Sequence, residues 1–230
     1  AAIEAERTVE AQSYVLAAIE RGDGPGELRP WFTSVVSDHH LSYGHGAIYT
    51  QKAFELLDMI GWDRAATVLP HLVPTLVYGT REDKLPYMRQ FMKALAGIDL
   101  AAAADVAPAD GWSDDGTLLA ALLGDRRTAP VDATVTAIRT GASVDDVLDV
   151  VVQAVSERML RYDVAGEFDF ADDFGWLDIT HGLTYANAVR WHHANAVDGG
   201  GVTSPEQLRL VLFTAFLAQD QNALALVVGA

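Results

Sequence analysis

Cysteine is absent from this chain of 230 residues. Its absence excludes disulfide bonds, iron–sulfur clusters, thiolate-bound zinc and cysteine nucleophiles. Lysine is scarce as well, because only Lys52, Lys84 and Lys93 occur. Long apolar runs are also missing, since no run reaches the roughly 18 residues that a membrane span requires. We therefore expect a soluble protein without a membrane partner.

Positive charge is in short supply, with 16 basic against 32 acidic residues and a formal net charge of −16. Such a surface repels nucleic acid and anionic lipid, so we predict neither as a partner. The chain begins Ala-Ala without Met and contains no signal peptide. We expect a trimmed chain or the ordered part of a longer protein, located in the cytoplasm.

Helical periodicity dominates what is present, and we find no repeat and no strand-period run of note. The sequence predicts an all-α fold, a single-domain bundle of about eight helices over residues 1–230. The segment 99–115, rich in Ala, Asp and Pro, predicts a loop or linker. The predicted helical stretches are 2–22, 33–60, 63–78, 84–97, 117–123, 130–140, 143–162, 177–197 and 205–228. A bend is expected at Gly44 and Gly46, and a kink or break at Pro70 and Pro74.

Six of the seven histidines fall in two segments, 37–46 and 178–193, whereas His71 lies alone between two prolines. The six are His39, His40, His45, His181, His192 and His193. Polar groups on otherwise apolar helices cannot be buried cheaply, because each unpartnered group costs about 1–3 kcal/mol. A metal ion or a polar pocket between two helices would explain this grouping.

Helical geometry arranges these residues on stripes, at about 100° per residue. Asp38, His45 and Lys52 share one stripe if the helix is continuous. His181 and His192 nearly eclipse each other but lie about 16 Å apart along the axis. We therefore expect one of them to bind a metal and the other to line the pocket. Without thiolates, the ligands would be imidazole and carboxylate, which suits iron, manganese or zinc.

Several alternatives stay open at this point. One of His39 and His40, and one of His192 and His193, is expected to be an ordinary core or surface residue, because neighbours on a helix point in different directions. Lys52 could extend to the surface rather than into a site. We interpret His71 first as a histidine with a structural role rather than as a metal ligand. The remaining open positions are Asp220 and Asn222, which either line the polar cavity or form the exposed face of the last helix.

Two patches of the sequence carry a resemblance to a known family. The first is Ser37-Asp38-His39-His40-Leu41 through Gly46-Ala47, and the second is Thr180-His181-Gly182-Leu183-Thr184-Tyr185-Ala186. They resemble, respectively, the histidine-rich start and the later histidine helix of the questin oxidase-like family. The resemblance implies a helical, oxygen-dependent enzyme that opens rings of anthraquinone-like polyketides. It also implies a non-haem iron held by several histidines and, in some members, by a carboxylated lysine.

Carried over by position, His40 and His45 match the early histidines and His181 the later one. Lys52 is the position for a carboxylated lysine, and His192 or His71 is the candidate for a further ligand. Because the spacing Asp178-x-x-His181 lacks a second Glu-x-x-His, a di-iron site is not favoured. HExxH is also absent, which argues against a zincin.

We predict from these features an iron-dependent oxygenase that acts on an aromatic or quinone-like small molecule with O₂. Either His192 or Asp178 is expected to complete the shell of the iron, and Asp178 could instead fix a ligating imidazole. Tyr43 and Tyr185 are expected to orient the ring of the substrate, together with Tyr49, Trp176 and Trp191. The first alternative is a zinc or manganese hydrolase or lyase that uses a metal-bound water. The second is a non-catalytic module that binds a small aromatic ligand. Whether the protein forms a homodimer is left open.

Overall fold

The computed structural model describes residues 1–164, 168, 175–196 and 203–220. In these ranges the chain forms eleven α-helices and three short 3₁₀ helices, and no strand occurs. The all-α prediction is confirmed. The α-helices are α1 (Thr8–Arg21), α2 (Pro25–His39), α3 (His45–Ile60), α4 (Ala65–Val77), α5 (Arg89–Ala96), α6 (Leu100–Ala104), α7 (Thr117–Leu123), α8 (Ala129–Arg139), α9 (Val144–Arg161), α10 (Trp176–Ala194) and α11 (Pro205–Asp220). The 3₁₀ helices are Trp62–Arg64, Glu82–Lys84 and Pro86–Met88.

Local sequence signals explain where several of these helices begin and end. Ser143 caps α9, since its hydroxyl accepts the Asp146 N–H at 3.0 Å while the Asp146 carboxylate accepts the Ser143 N–H at 2.8 Å. Ser204 accepts the Gln207 N–H at 3.2 Å and starts α11 in the same way. Such caps satisfy backbone donors that the first helical turn leaves open. Gly22 ends α1 in a left-handed conformation, as Gly readily does.

The predicted count of about eight helices is too low, chiefly because the stretch 33–60 is not one helix. It is divided between α2 and α3 by a turn over residues 40–44. The predicted loop 99–115 contains the short helix α6 and is tied back by the Ala109 N–H, which donates to the Gly141 carbonyl at 2.8 Å. Pro70 and Pro74 both lie inside α4, which the prolines do not break.

Helix α11 lies at the centre of the bundle and contacts α2 and each helix from α5 to α10. Its side chains from Leu210 to Leu217 are buried on every face, including Phe213 and Phe216. A helix that is apolar all round is typical of a core position. Helix α10 packs against α3, α9 and α11, so that the second histidine segment lies beside the first.

No helix in the described part of the chain combines the length and hydrophobicity needed to cross a bilayer. The end of the predicted last helix, 221–228, and Asn222 lie outside the described residues, as does the Asp220 side chain. The organisation of residues 1–230 as one domain stays a prediction.

Candidate functional site

The turn between α2 and α3 adopts a left-handed backbone at several non-glycine residues. The φ angles are 47° at His40, 52° at Ser42 and 57° at Tyr43, followed by 87° at Gly44. Left-handed conformations of non-glycine residues cost on the order of 1–3 kcal/mol each and persist only where the surroundings enforce them. They concentrate at functional sites, which makes this turn the first place to look for one.

Hydrogen bonds from the segment 80–82 hold the turn in this conformation. The Ser42 N–H donates to the Thr80 carbonyl at 2.8 Å, and the Thr80 N–H donates to the Ser42 hydroxyl at 3.0 Å. The Tyr43 N–H donates to the Glu82 carboxylate at 2.8 Å. Gly44 packs directly on the Tyr185 ring, where a Cβ atom would lie 2.4 Å from a ring carbon. Only glycine fits this contact.

The turn brings His45, the first residue of α3, against His181 of α10. The two ring centroids are 4.7 Å apart. The His45 Nδ1–H donates to the Ser42 carbonyl at 2.6 Å, and the His181 Nε2–H donates to the Tyr43 carbonyl, also at 2.6 Å. Two consecutive carbonyls of the strained turn therefore fix which nitrogen of each ring carries the donated proton. In the neutral form of each ring, the lone pair lies on His45 Nε2 and on His181 Nδ1.

Electrostatics keep His181 in the neutral form. Burial lowers its pKa, and the neighbouring His45 lowers it further, whereas the bond to the Tyr43 carbonyl and the charge of Asp178 act in the opposite direction. A neutral imidazole with one nitrogen bonded to a carbonyl is the form in which histidine binds metals. The pair can thus offer two nitrogen ligands or two hydrogen-bond acceptors.

Aromatic rings surround the pair. Tyr43 stacks on His181 at 5.0 Å, and Tyr49 lies 5.6 Å from His45. Tyr185 stacks more distantly on His181 and is 0% exposed. Its hydroxyl has no hydrogen-bond partner in the structure, and burial raises its pKa. The predicted residues Tyr43 and Tyr185 are therefore both beside the histidine pair.

His40 does not join the pair, although it matches an early family histidine. It lies 1% exposed between Phe91 and Phe213, stacked on the latter at 4.2 Å. Neither of its ring nitrogens has a hydrogen-bond partner among the described residues, and burial lowers its pKa to about 3. The split between α2 and α3 turns its ring into the core, so the structure does not bring it together with His45 and His181.

His192 occupies a third location and is only 3% exposed. Its Nε2–H donates to the Ala47 carbonyl at 3.2 Å, and its Nδ1 accepts from the Thr33 hydroxyl at 3.0 Å. Burial lowers its pKa to about 4. Both ring nitrogens are occupied, so His192 is not placed as a ligand. It lines a cleft of about 360 Å³ between α2, α10 and the start of α11, and this cleft is lined by neither His45 nor His181.

Lys52, Asp38 and His71 are not brought to the histidine pair. The predicted stripe is broken between Asp38 on α2 and His45 on α3, whereas Lys52 lies two turns after His45 on α3. The Lys52 side chain is 57% exposed and pairs with Glu55 at 2.8 Å. Asp38 pairs with Arg209 on α11. His71 is exposed on α4. These positions offer no support for a carboxylated lysine or for His71 as a ligand.

Asp178 lies one turn before His181 but does not hold its ring. Its carboxylate accepts the Gly175 N–H at 2.9 Å and so caps α10. It acts on His181 through its charge, while the Tyr43 carbonyl takes the role predicted for Asp178.

The supporting roles of Glu82 and Ser42 in the turn were not predicted from the sequence. Glu82 lies in Arg81-Glu82-Asp83-Lys84, a pattern typical of a solvated surface, yet it is only 5% exposed. The hydrophobic pattern of the sequence cannot identify a buried carboxylate within a charged stretch. His39 lies beside this segment, where its ring is largely buried and contacts Glu4 and Asp83.

Within the described ranges, no group of three or more His, Asp or Glu side chains is arranged to hold a metal. The two imidazoles fit a metal in chemistry and tautomer but supply only two ligands. Comparisons with models of protein families, with curated proteins and with solved structures give no match. The resemblance to the questin oxidase-like family stays a prediction.

Proposed function

We propose that His45 and His181 are two imidazole ligands of a metal centre, and that the protein is a non-haem iron oxygenase acting on an aromatic or quinone-like small molecule. One observation carries the proposal. Two facing imidazoles each donate an N–H to consecutive carbonyls of a strained turn, which leaves a lone-pair nitrogen on each ring. Metal-binding histidines characteristically have their second nitrogen fixed in this way.

The strain in the turn supports a role for the pair beyond packing. A chain that only needed to connect α2 and α3 could do so without Ser42 and Tyr43 in the left-handed region. The cost is offset by hydrogen bonds to Thr80 and Glu82, and the gain is two carbonyls aimed at two imidazoles. Such preorganisation is what a ligand or metal site requires, because it removes reorganisation from the binding step.

Iron is the metal we favour, because imidazole and oxygen ligands without thiolate suit it. Iron would supply O₂ activation and would polarise a substrate oxygen. His45 and His181 would hold it, and the ligands they leave open would come from solvent, substrate or a carboxylate. Tyr43 and Tyr49, whose rings flank the pair, would orient a planar substrate by stacking.

Metal content tests the proposal directly. Protein expressed anaerobically with added iron should carry close to one iron atom per chain, and His45→Ala and His181→Ala should each lose it. His71→Ala is the matched control, since His71 is exposed on α4 and should leave the content unchanged. Zinc or manganese in place of iron would redirect the function to a hydrolase or lyase with a metal-bound water. The absence of every metal would overturn the proposal.

Oxygen consumption tests the reaction separately from the metal. Iron-loaded protein should take up O₂ in the presence of some member of a panel of hydroxylated aromatics and quinones, and His181→Ala should not. Iron-loaded protein that consumes no O₂ with any of them would rule out the oxygenase while leaving the metal site intact.

A metal-free module that binds a small aromatic ligand is a second candidate, favoured by one observation. The described residues provide no third His, Asp or Glu to complete a metal site. His45 Nε2 and His181 Nδ1 would then accept hydrogen bonds from a phenolic ligand, with Tyr43 stacked against it. This candidate predicts that chelators leave ligand affinity and thermal stability unchanged, whereas the metal centre predicts a loss of both.

A further inference from the structure

Glu82 supports the turn between α2 and α3, and its burial points to a more specific role. Its side chain is 5% exposed, and no ion pair to it is found in the described part of the chain. A carboxylate removed from water without a cation is costly unless hydrogen bonds compensate. Glu82 has two such bonds: Oε1 accepts the Tyr43 N–H at 2.8 Å, and Oε2 accepts the Tyr87 hydroxyl.

The first of these bonds connects Glu82 to the histidine pair through a single residue. Tyr43 is held at both ends of its backbone, with its N–H on Glu82 and its carbonyl on the His181 Nε2–H. Its φ of 57° is the least relaxed point of the turn, since Tyr tolerates the left-handed region poorly. Releasing the N–H would allow the residue to turn back, and the carbonyl would leave His181.

From this chain of contacts we infer that Glu82 is a positioning residue of the His45–His181 site. It holds Tyr43 in the left-handed conformation and thereby fixes the tautomer of His181, so that Nδ1 keeps its lone pair. Tyr87 holds the carboxylate from the other side, and its ring lies 6.4 Å from that of Tyr43. The inference rests on the proposed function only where metal affinity is concerned, because the tautomer can be measured without metal.

Imidazole ¹⁵N NMR of the metal-free protein is the first test. Wild-type protein should show His181 in the Nε2–H form and His45 in the Nδ1–H form. In Glu82→Ala the His181 signals should shift towards a mixture of tautomers. Glu82→Gln should restore most of the wild-type spectrum, because its amide oxygen can still accept the Tyr43 N–H while the Tyr87 hydroxyl turns to accept from the amide. Glu55→Ala, a carboxylate on α3 that contacts Gln51 and Lys52, is the control.

Wild-type spectra for His181 in folded Glu82→Ala would overturn the inference. So would a Glu82→Gln spectrum as perturbed as that of Glu82→Ala, or an equal change in Glu55→Ala. If Glu82→Ala does not fold, hydrogen exchange in the wild-type protein decides the matter. The Tyr43 amide should exchange at least 100-fold more slowly than an unprotected amide, because it is bonded to a buried carboxylate. Exchange at the unprotected rate would equally overturn the inference.

Co²⁺ titration separates this inference from the proposed function. Glu82→Ala should bind Co²⁺ about 10-fold more weakly than wild type, in line with the loss of other groups that orient metal-binding histidines. If neither protein binds Co²⁺ while the NMR result holds, the metal centre is rejected and the positioning role of Glu82 stands. If both bind equally while His181 changes tautomer, the positioning role is rejected for metal binding.

Discussion

Two pairs of histidines in this protein lie in opposite structural environments. His45 and His181 are half-buried, face each other and bond to backbone carbonyls through one nitrogen each. His40 and His192 are buried in the core. Among the described residues, His40 stacks on Phe213 with no polar partner, and His192 has both nitrogens occupied. The first pair is the one that we propose to bind a metal, whereas the second pair contributes to core packing.

Clustering of histidines along the sequence is therefore a weaker indication of a binding site than the hydrogen bonds that fix their tautomers in the fold. His40 lies only five residues from His45, and His192 lies on the same helix as His181. What separates them is access to a lone-pair nitrogen. A buried histidine is retained neutral because protonation would place a charge in the core. His45 and His181 are only partly buried.

Low pH should have the largest effect on the free energy of unfolding, and it should act through the two buried histidines, His40 and His192. The pKa of His40 is lowered to about 3 and that of His192 to about 4, both by burial. Below the unfolded value near 6.5, the unfolded chain binds up to two more protons than the native one. Stability is therefore fully present above pH 6.5 and should fall by up to about 2.7 kcal/mol per pH unit between pH 6 and 4. Urea unfolding across this range measures the slope.

Non-titrating variants isolate the contribution of each core histidine. His40→Asn, which suits a left-handed position, and His192→Gln should each reduce the slope by about 1.4 kcal/mol per pH unit. His71→Gln, at an exposed position, should not change it. Unchanged slopes in both core variants would show that carboxylates alone cause the acid sensitivity.

Gly44→Ala should have the next largest effect and should act on the half-buried pair. The new Cβ would lie 2.4 Å from the Tyr185 ring, at a φ of 87°. We expect a loss of about 2–4 kcal/mol in the free energy of unfolding, together with altered His45 and His181 tautomers. Gly22→Ala is the control, because its φ is 98° but nothing lies within 4 Å. It should cost only about 1 kcal/mol and leave both rings unchanged. Equal losses in the two variants would contradict the close packing on Tyr185.

Lys52→Ala should have the smallest effect, and it tests whether Lys52 belongs to the histidine site. Because Lys52 is exposed and forms one surface ion pair with Glu55, we expect a stability change within about 0.5 kcal/mol. Metal content and tautomers should stay as in wild type. A loss of metal in this variant would show that Lys52 reaches the site after all.

The starts of helices are predictable from the sequence where interactions between neighbouring residues define them. Ser143 and Ser204 start α9 and α11 as their capping patterns predict, because capping depends on a few neighbouring residues. The prediction was wrong at residues 40–44, where the polar stripe from Asp38 to His45 assumed a continuous helix. A left-handed turn at Ser42 and Tyr43 has no propensity signal, since these residue types do not favour it.

Composition and periodicity are sufficient to predict that the fold is helical and to locate the two segments that carry the histidines, because both are local properties that survive in any arrangement of the chain. Which imidazoles meet, and which nitrogen of each ring bonds to the backbone, depends on packing between distant parts of the chain. The Thr80 carbonyl and the Glu82 carboxylate hold Ser42 and Tyr43 in a conformation that these residues would not adopt alone.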